Sequence, residues 1–189
     1  MRKYCLSLLL LLLTLVSNAV EPPKREIRGV WLTTVYGLDW PRKPATTETG
    51  RMAQQRDVCD ILDRLQDANF NTVFLQVRMR GDVIWRSAIE PASKTFSGKY
   101  GMMPGYDPLA FAVEECHKRG MECHAWMVTI PLGNKKHVAS LGSQSVTKRM
   151  KEICVPYKRE YFLNPGHPAT KEYLMKLVRE VVSGYDVDG

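Results

Sequence analysis

The 189-residue sequence has no C-x-x-C pair, no G-x-G-x-x-G behind its first predicted strand, no P-loop and no G-x-S-x-G elbow. Each absence counts against a function class. Without the glycine-rich turns, nucleotide phosphates have no backbone cradle, and without the elbow a Ser-His-Asp hydrolase has no presented nucleophile. His117, His124, His137 and His167 form no i, i+4 pair, and the cysteines show no paired spacing, so neither a metal centre nor a cofactor is expected. Charge of one sign is never concentrated: 27 Lys and Arg against 20 Asp and Glu give +7, spread along the chain. That balance suits solubility or attraction to anionic surfaces and argues against a nucleic-acid groove. Long apolar runs are also missing, the longest being Leu6 to Val16, well short of the roughly 20 residues that span a bilayer.

That apolar run has a different reading. Behind the basic Met1-Arg2-Lys3 and ahead of Ser17-Asn18-Ala19 it has the pattern of a secretory signal, with cleavage expected after Ala19. Residues 1–19 are therefore expected to be a signal peptide, and residues 20–189 to work in the periplasm, cell envelope or outside the cell. Export permits disulfides, and Cys59, Cys116, Cys123 and Cys154 allow three pairings. A disulfide framework is not expected, because Cys59, Cys116 and Cys123 fall in apolar periodic segments where cysteine acts as a small buried hydrophobe.

What remains alternates between strands and helices. Val30–Thr34 is predicted as a first strand, and the Pro- and Thr-rich 40–50 segment as a loop. A helix is predicted over Arg56–Ala68, from apolar residues at Val58, Ile61, Leu62 and Leu65. Asn69 reads as a left-handed stop and Thr72–Val77 as a second strand. After a breaker-rich stretch, Asp107-Pro108 predicts a capped helix closed by Gly120, followed by a third strand over Glu122–Val128. Residues 131–167 read as a long polar loop, followed by a helix from Pro168 to Gly184. Tyr185–Gly189 then begins a fourth strand. Helix-to-strand connections are short and strand-to-helix connections long, which gathers loops at the carboxyl ends of parallel strands. The predicted class is α/β, a TIM (β/α)8 barrel of which three βα units and the start of a fourth strand are present; a doubly wound sheet has similar spacing. Eight units need about 250 residues, so residues 20–189 are expected to be the amino-terminal part of a barrel.

Alternate residues of a parallel strand face opposite ways, so polar groups recurring near its carboxyl end mark a site. On the second strand Phe74, Gln76 and Arg78 share a face; on the third, His124 and Trp126 do. Trp126 offers a ring on which the apolar face of a sugar could stack. Carboxylates for acid-base work are Asp39 and Asp82, with Glu90 in reserve. Asp107 reads as a helix cap, and Asp188 lies at the wrong end of its strand.

Several blocks together resemble the glycosyl-hydrolase-like family 10 domain: Arg28–Thr34, Asn71–Arg78 with Gly81-Asp82, Pro104–Leu109, Glu122–Trp126, Leu163–Pro168 and Tyr185–Gly189. The resemblance runs from about Lys24 to Gly189. It implies an exported bacterial TIM-barrel glycosidase acting on cell-envelope or polymeric glycans, with peptidoglycan-derived strands one substrate class among relatives. It further implies that Gln76, Arg78, Asp82, His124 and Trp126 line the cleft, with Trp31 in the matching first-strand block. Asp82 is then the expected catalytic carboxyl. Gln76 and Arg78 bind sugar hydroxyls or hold the acid, His124 donates to substrate, and Trp126 stacks. Met127–Pro131 and Asn164 depart from the family pattern. Glycosidic cleavage commonly uses two carboxyl groups, and at least one is expected to be missing here, leaving this piece inactive alone. The alternative is a non-catalytic glycan-binding barrel protein.

Overall fold

The computed structural model describes residues 26–189; the predicted signal peptide lies outside them. Strands β1 (Gly29–Leu32), β2 (Thr72–Arg78) and β3 (Glu122–Met127) form one parallel sheet in the order β1-β2-β3. The chain end continues it: Asp188 donates its backbone N–H to Cys123 (3.0 Å), and Ala125 donates to Gly189 (2.8 Å). Residues 188–189, where a fourth strand is predicted to begin, thus lie hydrogen-bonded beside β3 without forming a regular strand.

Helix α1 (Glu48–Asp67) starts two turns earlier than its apolar spacing predicts, capped by Thr47, whose hydroxyl accepts from Gly50 N–H (3.1 Å). Those turns are held by a polar residue. Gln54 is buried, donates to the carbonyls of Lys43 (2.7 Å) and Phe96 (2.8 Å), and accepts from the Tyr106 hydroxyl (3.0 Å). A search for apolar periodicity passes over such a residue. Asn69, at φ 62°, ends the segment in the left-handed conformation. A short helix α2 (Lys94–Ser97) interrupts the loop after β2.

Helix α3 (Pro108–Lys118) is capped by Asp107, whose Oδ1 accepts from Leu109 and Ala110 N–H (both 3.1 Å). Val58 and Leu62 of α1, Leu109, Ala112 and Cys116 of α3 and the sheet residues Val73, Leu75, Val77 and Cys123 share one buried core. Each fully buried aliphatic side chain there contributes about 1.5–3 kcal/mol by leaving water.

The 131–167 segment, expected to be loop, contains a second sheet. Strands β4 (Pro131–Asn134), β5 (Cys154–Tyr157) and β6 (Glu160–Leu163) pair antiparallel in the order β4-β6-β5. Helices α4 (Lys135–Ser140) and α5 (Val146–Arg149) lie between its first two strands. Strands of four residues, two of them containing proline, are too short to display alternation. Helix α6 (Pro168–Gly184) follows as predicted, with His167 as its cap.

Candidate functional site

Thr34, Gln76 and Arg78 stand at the carboxyl ends of β1 and β2, and all three are buried. Gln76 Oε1 accepts from Thr34 N–H (3.0 Å) and Val35 N–H (2.9 Å), while the Thr34 hydroxyl donates to Gln76 O (2.8 Å). Gln76 thus shapes the turn that follows β1. The next residue, Tyr36, has φ 57° and is 72% exposed; such a conformation costs a bulky residue about 1–3 kcal/mol. Its ring lies 4.5 Å beneath the Arg80 guanidinium, and its hydroxyl accepts from Arg80 Nη1 (2.5 Å).

Arg78 is fully buried and holds an acid, but that acid is Glu90. Nε and Nη2 bond the two carboxylate oxygens of Glu90 (2.8 and 2.7 Å), and Nη1 donates to the carbonyls of Val128 and Thr129. Burial works against the Arg78 charge, and Glu90 outweighs it, so the guanidinium is held in its charged form. The Tyr173 hydroxyl also donates to Glu90 Oε1 (2.5 Å), so with all three guanidinium nitrogens engaged Arg78 ties β2 to the segment after β3 and, through Glu90, to α6.

Beyond Arg78 the chain turns at Gly81, whose φ of 79° is a conformation side chains disfavour, and this aims the Asp82 carboxyl inward. Asp82 is 3% exposed. Burial pushes its pKa up, against the opposing pull of the Ser93 hydroxyl, His137 and the Arg80 N–H. His137 arrives from α4, its Nε2 3.7 Å from Asp82 Oδ1 and 2.9 Å from the Arg80 carbonyl. Since a carbonyl only accepts, Nε2 carries the proton, and in the neutral ring Nδ1 accepts from the Tyr100 hydroxyl (3.1 Å). Gly133 makes room for this imidazole: a Cβ there would lie 2.8 Å from His137 Cδ2. Burial pushes the Tyr100 phenol up to about 12.

The result is a pocket of about 220 Å³ whose lining includes Tyr36, Arg80, Asp82, Lys94, Tyr100 and His137. Of the residues expected from sequence, only Asp82 lines it. Trp31, His124 and Trp126 gather instead on the sheet face opposite the helices. The Trp31 ring stacks on Phe74 at 4.7 Å and meets Trp126 edge-on at 4.8 Å, while His124 lies 5.2 Å from Phe74 and bonds Glu122 (3.1 Å). Trp31 keeps 58% of its surface exposed. Asp39 accepts from Thr33 N–H and hydroxyl (2.8 and 2.7 Å), and Asp188 is bonded by Cys123 N–H and His117. Sequence reasoning missed Tyr36, Arg80, Lys94, Tyr100 and His137 as site residues. Asn134, capping α4 with His137 three residues on, was the one local hint.

The model of the glycosyl hydrolase-like 10 family matches residues 26–189. The chain belongs to that family. Among curated relatives of this glycosyl hydrolase-like 10 chain, the glycosyl hydrolase DigH of Escherichia coli K12 is 40% identical over 182 residues, covering 89% of the chain and 42% of the relative. The glycosyl hydrolase YngK of Bacillus subtilis is 33% identical over 165 residues, covering 87% and 32%. The chain thus spans less than half the length of either relative. Among solved structures, a maltogenic alpha-amylase of Thermotoga neapolitana superimposes with a TM-score of 0.56 at 15% identity, over 86% of this chain and 38% of that one. At that identity the likeness concerns the fold: parallel βα units forming part of a TIM barrel. In a barrel of this kind the loops after the strands carry the chemistry, and the Asp82 pocket sits at that end of β1 and β2.

Proposed function

We propose that the protein is an exported glycoside hydrolase acting on cell-envelope or polymeric glycans, with Asp82 as its general acid. The carrying observation is a buried carboxyl, its pKa raised by desolvation, opening on a pocket at the carboxyl ends of the strands. Burial that favours the protonated carboxyl favours donation of its proton to a departing glycosidic oxygen. His137 holds the Arg80 carbonyl and the Tyr100 hydroxyl in place around that acid. Tyr36 presents a ring at the rim for a sugar face, and Arg80 and Lys94 add donors for hydroxyl or acidic groups. Gln76 and Arg78 position the loops from beneath.

Cleavage with two carboxyl groups requires a partner for Asp82, and no second carboxylate lines the pocket among the described residues. That observation favours, for the 189 residues alone, the second reading of glycan binding without turnover, in which Trp31, Trp126 and His124 supply ring faces and a donor. Asp82→Asn tests the assignment in the protein at the full length of its relatives. Hydrolysis of chitin-type or denuded peptidoglycan strands is expected to fall by about 10²–10⁴-fold, with strand binding retained. Full turnover by Asp82→Asn overturns it.

A further inference from the structure

A second groove, about 480 Å³ in volume, adjoins the Asp82 pocket, with Asn134 and Lys136 lining both. Lys135 and Lys136 from the start of α4 form one wall; Lys158, Arg159 and Tyr161, at and beyond the β5–β6 turn, form the other. All four cations are exposed, and among the described residues none is in an ion pair. Glu160 is the single carboxylate of the lining. The turn residue Lys158 sits at φ 53°, with its ammonium 5.4 Å from the centre of the exposed Tyr157 ring.

These charges lie in two pairs more than twenty residues apart in sequence, and the antiparallel sheet brings them together. The Lys135 N–H donates to the Arg159 carbonyl (3.4 Å), joining the walls by the backbone. Four cations gathered against the single carboxylate of Glu160 raise the local potential and attract anions. Together with Arg80 and Lys94 in the pocket, they make a cationic track leading away from Asp82, with tyrosine rings beside it.

We infer that this groove is an anion-binding arm of the cleft that takes the carboxylates of an acidic polysaccharide strand beyond the sugar at Asp82. The inference rests on reading the Asp82 pocket as the reacting end of a glycan cleft. Repeated carboxylates along a strand match cations spaced along a groove, and ring faces match Tyr157 and Tyr161. A neutral glycan leaves the four charges unanswered.

The test measures binding, so it reads the groove without requiring turnover. Carboxymethylcellulose is the acidic probe and hydroxyethylcellulose the neutral one, titrated at 50 mM and 500 mM salt. The acidic polymer is expected to bind more tightly and to weaken with salt. The exposed-residue variant Lys135→Gln/Lys158→Gln/Arg159→Gln is expected to lose about tenfold in affinity for it, with an unchanged circular dichroism spectrum. The charge-keeping variant Lys135→Arg/Lys158→Arg/Arg159→Lys should bind as the parent does, which guards against loss by misfolding. Asp82→Asn should also bind as the parent, so a failed acid assignment and a failed groove give different patterns. Equal binding by the glutamine variant, or equal binding of the neutral polymer, overturns the inference. So does tighter binding of duplex DNA or anionic phospholipid vesicles through the same three residues.

Discussion

Arg78 Nη2 lies 2.7 Å from Glu90 Oε1, and both side chains are sealed from solvent at the carboxyl end of β2. The pair is bidentate, and the backbone carbonyls of Val128 and Thr129 and the Tyr173 hydroxyl satisfy its remaining groups. Its geometry sets the height of the loops around the Asp82 pocket without lining it.

Breaking that pair from one side leaves an unpaired buried charge. Arg78→Met or Glu90→Gln alone should lower unfolding free energy by about 3–5 kcal/mol, measured by urea denaturation. Replacing both partners with apolar side chains should cost less than either single change. A double variant as unstable as the sum of the two would contradict this account.

Asp82 predicts an unusual pH dependence. Its pKa is raised in the folded chain above the ordinary value of 3.8. The stability it contributes is therefore complete below that value and lost as pH rises through the raised one. Asp82→Asn removes the titration, so its melting temperature should exceed the parent's by an amount that grows as pH rises above 4 and levels off once pH passes the raised value. A difference that stays constant from pH 4 to pH 8 contradicts the raised value. Gain in stability together with loss of turnover is the pattern of a residue kept for function.

Glu115 carries the opposite sign. Lys118 first, then Arg119, pull its pKa down from 4.5 to about 2. The stability from this cluster is present above 4.5 and drains away as pH falls toward 2. In Glu115→Gln the acid side of the melting curve should be flatter, and 1 M salt should shrink the part of the difference that comes from Lys118, which faces solvent. An unchanged acid profile would sink the assignment.

The legibility of this fold followed its periodicity. Val73, Leu75 and Val77 alternate with Phe74, Gln76 and Arg78, and the register of β2 against β3 repeats that alternation with Cys123 and Ala125 against His124 and Trp126. Asp107 and Pro168 marked their helix starts because caps act locally. The start of α1 was hidden by Gln54, a core residue held by hydrogen bonds, and the β4-β6-β5 sheet by strands too short to show a pattern.

The chain by itself determined the parallel βα order, the crowding of long loops at one end and the family, since these rest on local spacing and on blocks read in order. Which side chains share a site was decided by tertiary structure. Asp82 and His137, 55 positions apart, meet only because Gly81 turns one inward and Gly133 admits the other. Arg78 looked like a group for substrate, and it became a buried partner of Glu90 once that loop folded over it. Side-chain proximity across long loops depends on packing, which no local propensity encodes.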